Sequence, residues 1–126
     1  MKSIDCYCCS GKTFDNCCRP ILNGEGKASS AEQLMRSRYS AFATQKSDYL
    51  IETTHFSTRK NHSEEDLLDW SRTNKWIKLE VINATATTIE FKAFYEDELK
   101  TALIHHEFSI FKEEDKIWYY VDGRFM

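Results

Sequence analysis

The sequence predicts an α+β protein in which a small cysteine-rich lobe precedes a layer of helices and then a curved antiparallel sheet. Three observations predict it. All five cysteines of the 126-residue chain fall between Cys6 and Cys18. Apolar residues then recur at helical spacing from about residue 29 to residue 73. From Trp76 onward the period changes to two, and the connections are too short for crossovers, so successive strands must be antiparallel.

The first helix starts in Ser29-Ser30-Ala31-Glu32-Gln33, where Ser29 and Glu32 have capping-box spacing. It is predicted to run to about Gln45 and to bury Leu34, Met35, Tyr39 and Phe42. Ser47 is the expected cap of a short second helix, Asp48 to Thr54, burying Tyr49, Leu50 and Ile51. Ser63 and Asp66 open a third, Glu64 to about Thr73, with Leu67, Leu68 and Trp70 inward. Ile77, Leu79 and Val81 then alternate with charged residues, as do Ile89, Phe91, Ala93 and Tyr95. Leu99 to Lys112 and Ile117 to Asp122 complete the meander, with turns at 83–86, 96–98 and 113–116. The acidic runs Glu96-Asp97-Glu98 and Glu113-Glu114-Asp115 are expected to be solvated hairpin tips.

Composition narrows the function classes. With 41% hydrophobic and 29% charged residues the chain is globular rather than disordered. No apolar run is long enough to span a bilayer and no signal segment follows Met1, so a cytoplasmic protein is expected. A net charge of −3 offers no general nucleic-acid footprint. Pro20 and Asn23-Gly24-Glu25-Gly26-Lys27 are predicted as a turn or linker, which sets out three parts: a lobe over 1–22, a linker over 23–27 and a domain over 28–126.

The cysteines point to a metal. Cys6, Cys8, Cys9, Cys17 and Cys18 could close only tiny disulfide loops, and two pairs are adjacent. A Cys-x-Cys pair and a Cys-Cys pair supply four sulfurs from two short segments, as tetrahedral zinc requires. The intervening Ser10-Gly11 step suits a tight turn, Lys12 and Arg19 could offset the thiolate charge, and Phe14 could plug the site.

Cys6 to Cys18 resembles the SEC-C motif, C-x-C-x-S-G-K-x-[FY]-x-x-C-[CH], a zinc module named for the tail of a preprotein translocase ATPase. The resemblance implies Cys6, Cys8, Cys17 and Cys18 as ligands of one structural Zn2+. Cys9 is left as a fifth thiol that could exchange with Cys8. Tyr7 and Cys9 depart from the usual C-P-C-G. Four sulfurs would leave no open position for water, which argues for a structural rather than a catalytic ion. The translocase analogy implies a protein partner at this lobe.

The rest of the chain resembles the YchJ-like proteins, through Ala31-Glu32-Gln33-Leu34-Met35-Arg36-Ser37-Arg38-Tyr39-Ser40-Ala41-Phe42, Tyr49-Leu50, Thr53 with His55, Ser57-Thr58-Arg59, His106 to Phe111 and Trp118 to Gly123. This implies an NTF2-like (cystatin-like) cone over 28–126. Phe56 stands where a proline is usual, and the second SEC-C motif of some members is not expected here because the chain stops at Met126. Such cones often pair through exposed sheet faces, so a homodimer is open.

A cone encloses a pocket, and His105 and Glu107 are the candidates for acid–base work in it. They share one face of the long strand with Leu103, Ser109 and Phe111, while Ala102, Ile104, His106, Phe108 and Ile110 share the other. Both faces carry apolar residues, so periodicity does not choose the inward one. No nucleophile or cofactor loop accompanies the pair, and a structural pair satisfied by Arg36 or Arg38 is the plainer reading. His55 and Arg59 could bind an anion at the mouth or lie in a solvated loop. A small-molecule ligand or enzyme site in the cone therefore stands beside the docking reading, as does redox sensing through Cys9.

Overall fold

The computed structural model describes residues 4–125, so residues 1–3 of the expected lobe and residue 126 of the expected domain lie outside the described residues. The elements are α1 (Cys18–Leu22), α2 (Ala31–Ala43), α3 (Ser47–Glu52), α4 (Glu64–Thr73), β1 (Lys75–Ala84), β2 (Thr88–Glu96), β3 (Ala102–Glu114) and β4 (Ile117–Phe125). Single 3-10 turns occupy Phe14–Asn16 and Arg59–Asn61. The strands pair in chain order, β1-β2-β3-β4, each antiparallel to the next. This is the predicted α+β meander.

Helix ends follow side-chain chemistry, and several differ from expectation. The cap of α2 is Ser30, not Ser29: its hydroxyl accepts from Gln33 N at 3.1 Å, and Gln33 Oε1 accepts from Ser29 N at 2.6 Å. The pattern is box-like but displaced, with Gln33 returning to Ser29 rather than to the cap residue Ser30. The helix stops at Ala43, two residues early, because Gln45 turns left-handed (φ 63) and Lys46 N reaches Ala41 O at 2.8 Å. That is a Schellman ending. Ser47 is the first residue of α3 rather than its cap, and it is buried. In α4, Ser63 caps as predicted, accepting from Asp66 N at 3.3 Å. Pro20 is not in the linker turn but within α1, in the first turn, where its missing N–H costs nothing.

The sheet is longer than predicted at one end and starts later at another. Asp97 Oδ1 accepts from Leu99 N and Thr101 N, both at 2.9 Å, which holds this stretch in a turn. β3 therefore begins at Ala102, and Leu99 is 86% exposed. The β3–β4 tip uses Asp115 and Lys116, both at positive φ (53 and 66), matching the two-residue hairpin turn that suits strand twist. β4 continues past Asp122 because β3 offers Ser109, Phe108 and Glu107 as partners for Gly123, Arg124 and Phe125.

Helix α2 packs on the sheet against β1, β2 and β4. Helix α4 packs on α2 and α3 and reaches the sheet through Trp70, whose ring meets those of Trp76 and Tyr95. The core gathers Leu34, Met35 and Tyr39 of α2 with Leu79, Ile89, Ala93 and Phe111 of the strands. Cys6, Cys8 and Cys18 belong to the same cluster, so lobe and cone share one core. Ile104 (55% exposed) and Ile110 (37%) lie on the convex side. Trp70, expected inward, is 37% exposed, because it stands at the rim of a cavity rather than in the core.

Candidate functional site: a thiol quartet and a carboxylate-floored cavity

The lobe brings four sulfurs together. The chain folds back on itself through Cys6 N to Lys12 O (2.9 Å), Cys9 N to Cys6 O (3.2 Å) and Phe14 N to Ile4 O (2.9 Å). Two residues at positive φ, Cys9 (61) and Gly11 (87), make the reversal possible. Cys9 therefore occupies a left-handed position that glycine would take without strain. The ligand-capable atoms of Cys6, Cys8, Cys17 and Cys18 all lie within 4.8 Å of one another. Cys8 and Cys17 sulfurs are 3.7 Å apart, Cys17 and Cys18 3.9 Å. A tetrahedral ion with metal–sulfur bonds of about 2.3 Å puts its sulfurs about 3.8 Å apart. The quartet fits a metal ion.

Its surroundings complete the fit. Cys6, Cys8 and Cys18 are buried and Cys17 is half-buried beside Ser10, whose hydroxyl lies 3.2 Å from its sulfur. Three buried thiols this close cannot all ionise alone. Hydrogen bonds from Cys18 and Cys8 hold Cys6 well below the usual thiol range, while hydrogen bonding to Cys6 and Cys8, together with burial, pushes Cys18 well above it. A dication is what would let all four lose their protons. The nearby positive charge comes from Arg36, which donates to Cys8 O at 2.6 Å and to Glu32 at 3.0 Å. Arg19, expected in that role, is engaged by Asp15 at 2.7 Å on the surface, and Lys12 lines a groove beside Cys17 and Arg36. Phe14 packs edge-on against Tyr7, with ring centroids 5.2 Å apart, and against the shared core. Cys9 lies outside the quartet; its sulfur accepts from Leu79 N at 3.4 Å.

The second site is a cavity of about 510 Å³ between α2, α4 and the sheet. His105, Glu107, Ser109 and Phe111 line it, so their face of β3 is the inward one. His105 Nε2 lies 2.8 Å from Glu107 Oε1, while Ser109 Oγ and Tyr120 Oη (3.3 Å) donate to Oε2. Burial alone would push the Glu107 carboxyl up. The hydrogen bonds from His105 and Ser109, with the charges of His105 and Arg38, outweigh it and hold the group below the usual carboxylate range. A Cβ at Gly123, which pairs with Ser109 across the strands, would run into the Glu107 carboxylate and come within 2.7 Å of Tyr120 Oη. That glycine, and the donors Ser109 and Tyr120, were not singled out from sequence. A lone glycine in a strand pattern, after Asp122, was the available signal of close approach.

The arginines divide as their spacing demands: Arg36 faces the lobe and Arg38 the interior. Neither hydrogen-bonds Glu107, contrary to expectation. Arg38 donates from Nη1 to Leu50 O (2.9 Å) and Thr53 Oγ1 (2.6 Å) and stacks 4.4 Å from the centre of the Tyr120 ring. The expected anion site at His55 and Arg59 is not formed, nor is a solvated loop. His55 is 3% exposed, with Nδ1 2.7 Å from Ser57 Oγ and Nε2 hydrogen-bonded to Glu114, whose carboxylate would repel an anion. Arg59 Nε donates to Thr54 O at 3.1 Å. Glu114 is thus a staple for the β3–β4 tip, not a free tip residue. His106 lies on the convex face, 2.7 Å from Glu90.

Comparison with known proteins matches residues 30–123 to the family described as "YchJ, middle NTF2-like domain". A UPF0225 protein of Geobacter sulfurreducens is 35% identical over 125 residues, covering 94% of this chain and 77% of its own. A UPF0225 protein of Sodalis glossinidius is 37% identical, covering 94% and 82%. Two solved structures are similar. The solution structure of a SEC-C motif containing protein from Rhodopseudomonas palustris has a TM-score of 0.88 at 34% identity, covering 96% of this chain and 98% of that one. The crystal structure of a SEC-C motif containing protein from Psychrobacter arcticus has a TM-score of 0.79 at 25% identity, covering 97% and 81%. Among the described residues no helix is long and apolar enough to cross a membrane.

Proposed function

The chain belongs to the YchJ family with its NTF2-like domain, and on that premise we propose that it is a structural-zinc protein whose SEC-C lobe serves as a protein docking element. Cys6, Cys8, Cys17 and Cys18 hold one Zn2+ in this reading, and the observation that carries it is that all four sulfurs lie within 4.8 Å of one another. Zinc suits four thiolates in tetrahedral array, and four sulfurs leave it no position for a reacting water. The ion braces the chain entry onto α2, where Arg36 and the shared core meet it. Docking then falls to the outer side, where Ile4 (52% exposed) and Tyr7 (39%) present apolar area.

The rival acid–base reading has the orientation it needs, since His105 and Glu107 both face the cavity. It lacks a carboxylate ready to take a proton, because Glu107 already accepts from three groups and is held ionised. Metal analysis of the reduced full chain tests the zinc reading. One zinc per chain, released by chelation with loss of the lobe's ordered amide signals, is expected. A metal-free chain with the same signals would overturn it.

A further inference from the structure

Arg38 is a buried charge whose hydrogen-bond partners among the described residues are all neutral. It is 9% exposed, and its hydrogen bonds use Nη1 alone, to Leu50 O, Thr53 Oγ1 and Thr54 Oγ1. Among the described residues, Nε and Nη2 make no hydrogen bond. Those donors are not sealed off either: Arg38 is one of the residues lining the cavity, and the fully enclosed, unpartnered polar atoms among the described residues lie elsewhere, at Thr13 and Trp118. A buried guanidinium with open N–H groups favours a carboxylate, which takes two of its donors in the fork geometry.

The groups facing it settle the sign of the ligand. Glu107 is the cavity's anion, but its oxygens already accept from His105, Ser109 and Tyr120. His62 and His105 also line the space, and burial and the Arg38 charge draw the proton affinity of His62 down. An incoming cation would meet Arg38, and a dianion would meet Glu107. The unmet need is for a single negative charge on the Arg38 side. The walls fix the rest: Phe42, Trp70, Trp76, Phe91, Phe111 and Phe125 present their rings to the cavity, with Phe42 and Trp76 centroids 5.5 Å apart and Trp70 and Trp76 5.8 Å apart. Such walls favour a flat ring that can stack or meet edges.

We infer that the cavity is a binding site for a planar aromatic monocarboxylate, its ring among the aromatic walls and its carboxylate on the free donors of Arg38. The probes are 2-naphthoate and its neutral isostere 2-naphthamide, titrated into the zinc-replete full chain. Quenching of Trp70 and Trp76 and calorimetry supply the readouts. Naphthoate binds, and naphthamide binds at least about ten-fold more weakly, as loss of a charge-assisted hydrogen bond implies. Arg38→Gln, with its helix content checked by circular dichroism, loses that preference. Equal affinities, no naphthoate binding up to about 1 mM, or a preference kept by a folded Arg38→Gln would each overturn the assignment. Since Arg38 also ties down the end of α3, the naphthoate–naphthamide comparison on the unaltered chain decides the matter if the variant does not fold.

Discussion

The thiol quartet and the Glu107 floor are both polar clusters sunk in apolar surroundings, yet they solve opposite problems. The quartet gathers four groups that repel one another once ionised, and only an added cation makes them compatible. The floor gathers one anion and three donors, so the fold satisfies it from its own residues. One cluster asks for a metal; the other is complete, and beside it Arg38 is left open. Buried polarity marks a binding site only where the accounting of partners does not close.

Removing one quartet sulfur should have the largest effect, because Cys18 is a wall of the shared core as well as a proposed ligand. Cys18→Ser is expected to abolish zinc retention and to destabilise lobe and cone together by several kcal/mol, since metal binding there is folding free energy. Thermal unfolding followed at cone and lobe amides checks this. A variant losing zinc while the cone melts unchanged would show that the two regions are independent.

Gly123→Ala probes the closed cluster from the opposite direction. The added methyl would run into the Glu107 carboxylate, so overpacking should cost about 1–3 kcal/mol in denaturant unfolding. Zinc content should stay unchanged. An unaltered midpoint would mean that β4 yields freely there.

The pH dependence separates the clusters further. Glu107 is held below its ordinary range, so its native form binds fewer protons than the unfolded chain as the medium acidifies. Its contribution is fully present above the unfolded value of about 4.3 and is lost as pH falls through the folded value. Stability of the unaltered chain should therefore fall on the acid side of that value, and Glu107→Gln should flatten the slope. Parallel acid profiles for the two chains would contradict the assigned cause.

How much of this was legible depends on sequence distance. The quartet sits within thirteen residues, and its spacing names the chemistry before any fold is known. The helices and the meander were legible from period. Of the floor, the shared face of His105, Glu107 and Ser109 was legible from the period of two. That this face is the inward one and that Tyr120 and Gly123 complete it was not, because only the folded sheet sets the register of β3 with β4 and both faces of β3 carry apolar side chains. His55 and Glu114 are 59 residues apart, and local composition marked both as loop residues. That one of Arg36 and Arg38 turns inward was legible from their spacing, but that Arg38 bonds the end of α3 instead of Glu107 was not, because those partners lie 12 to 16 residues away.

The smallest expected effect is at Cys9. Its sulfur stands outside the quartet, and its left-handed backbone is independent of the side-chain oxygen or sulfur. Cys9→Ser should keep one zinc per chain and shift stability by less than about 1 kcal/mol. Loss of the metal would bring Cys9 into the ligand set in place of Cys8.

X-ray absorption at the zinc edge addresses the closed-shell claim most directly. Four sulfur scatterers at about 2.3 Å with no nitrogen or oxygen neighbour are the predicted first shell of the reduced, metal-loaded chain. Three sulfurs with one oxygen would contradict it, because that shell has room for a reacting water.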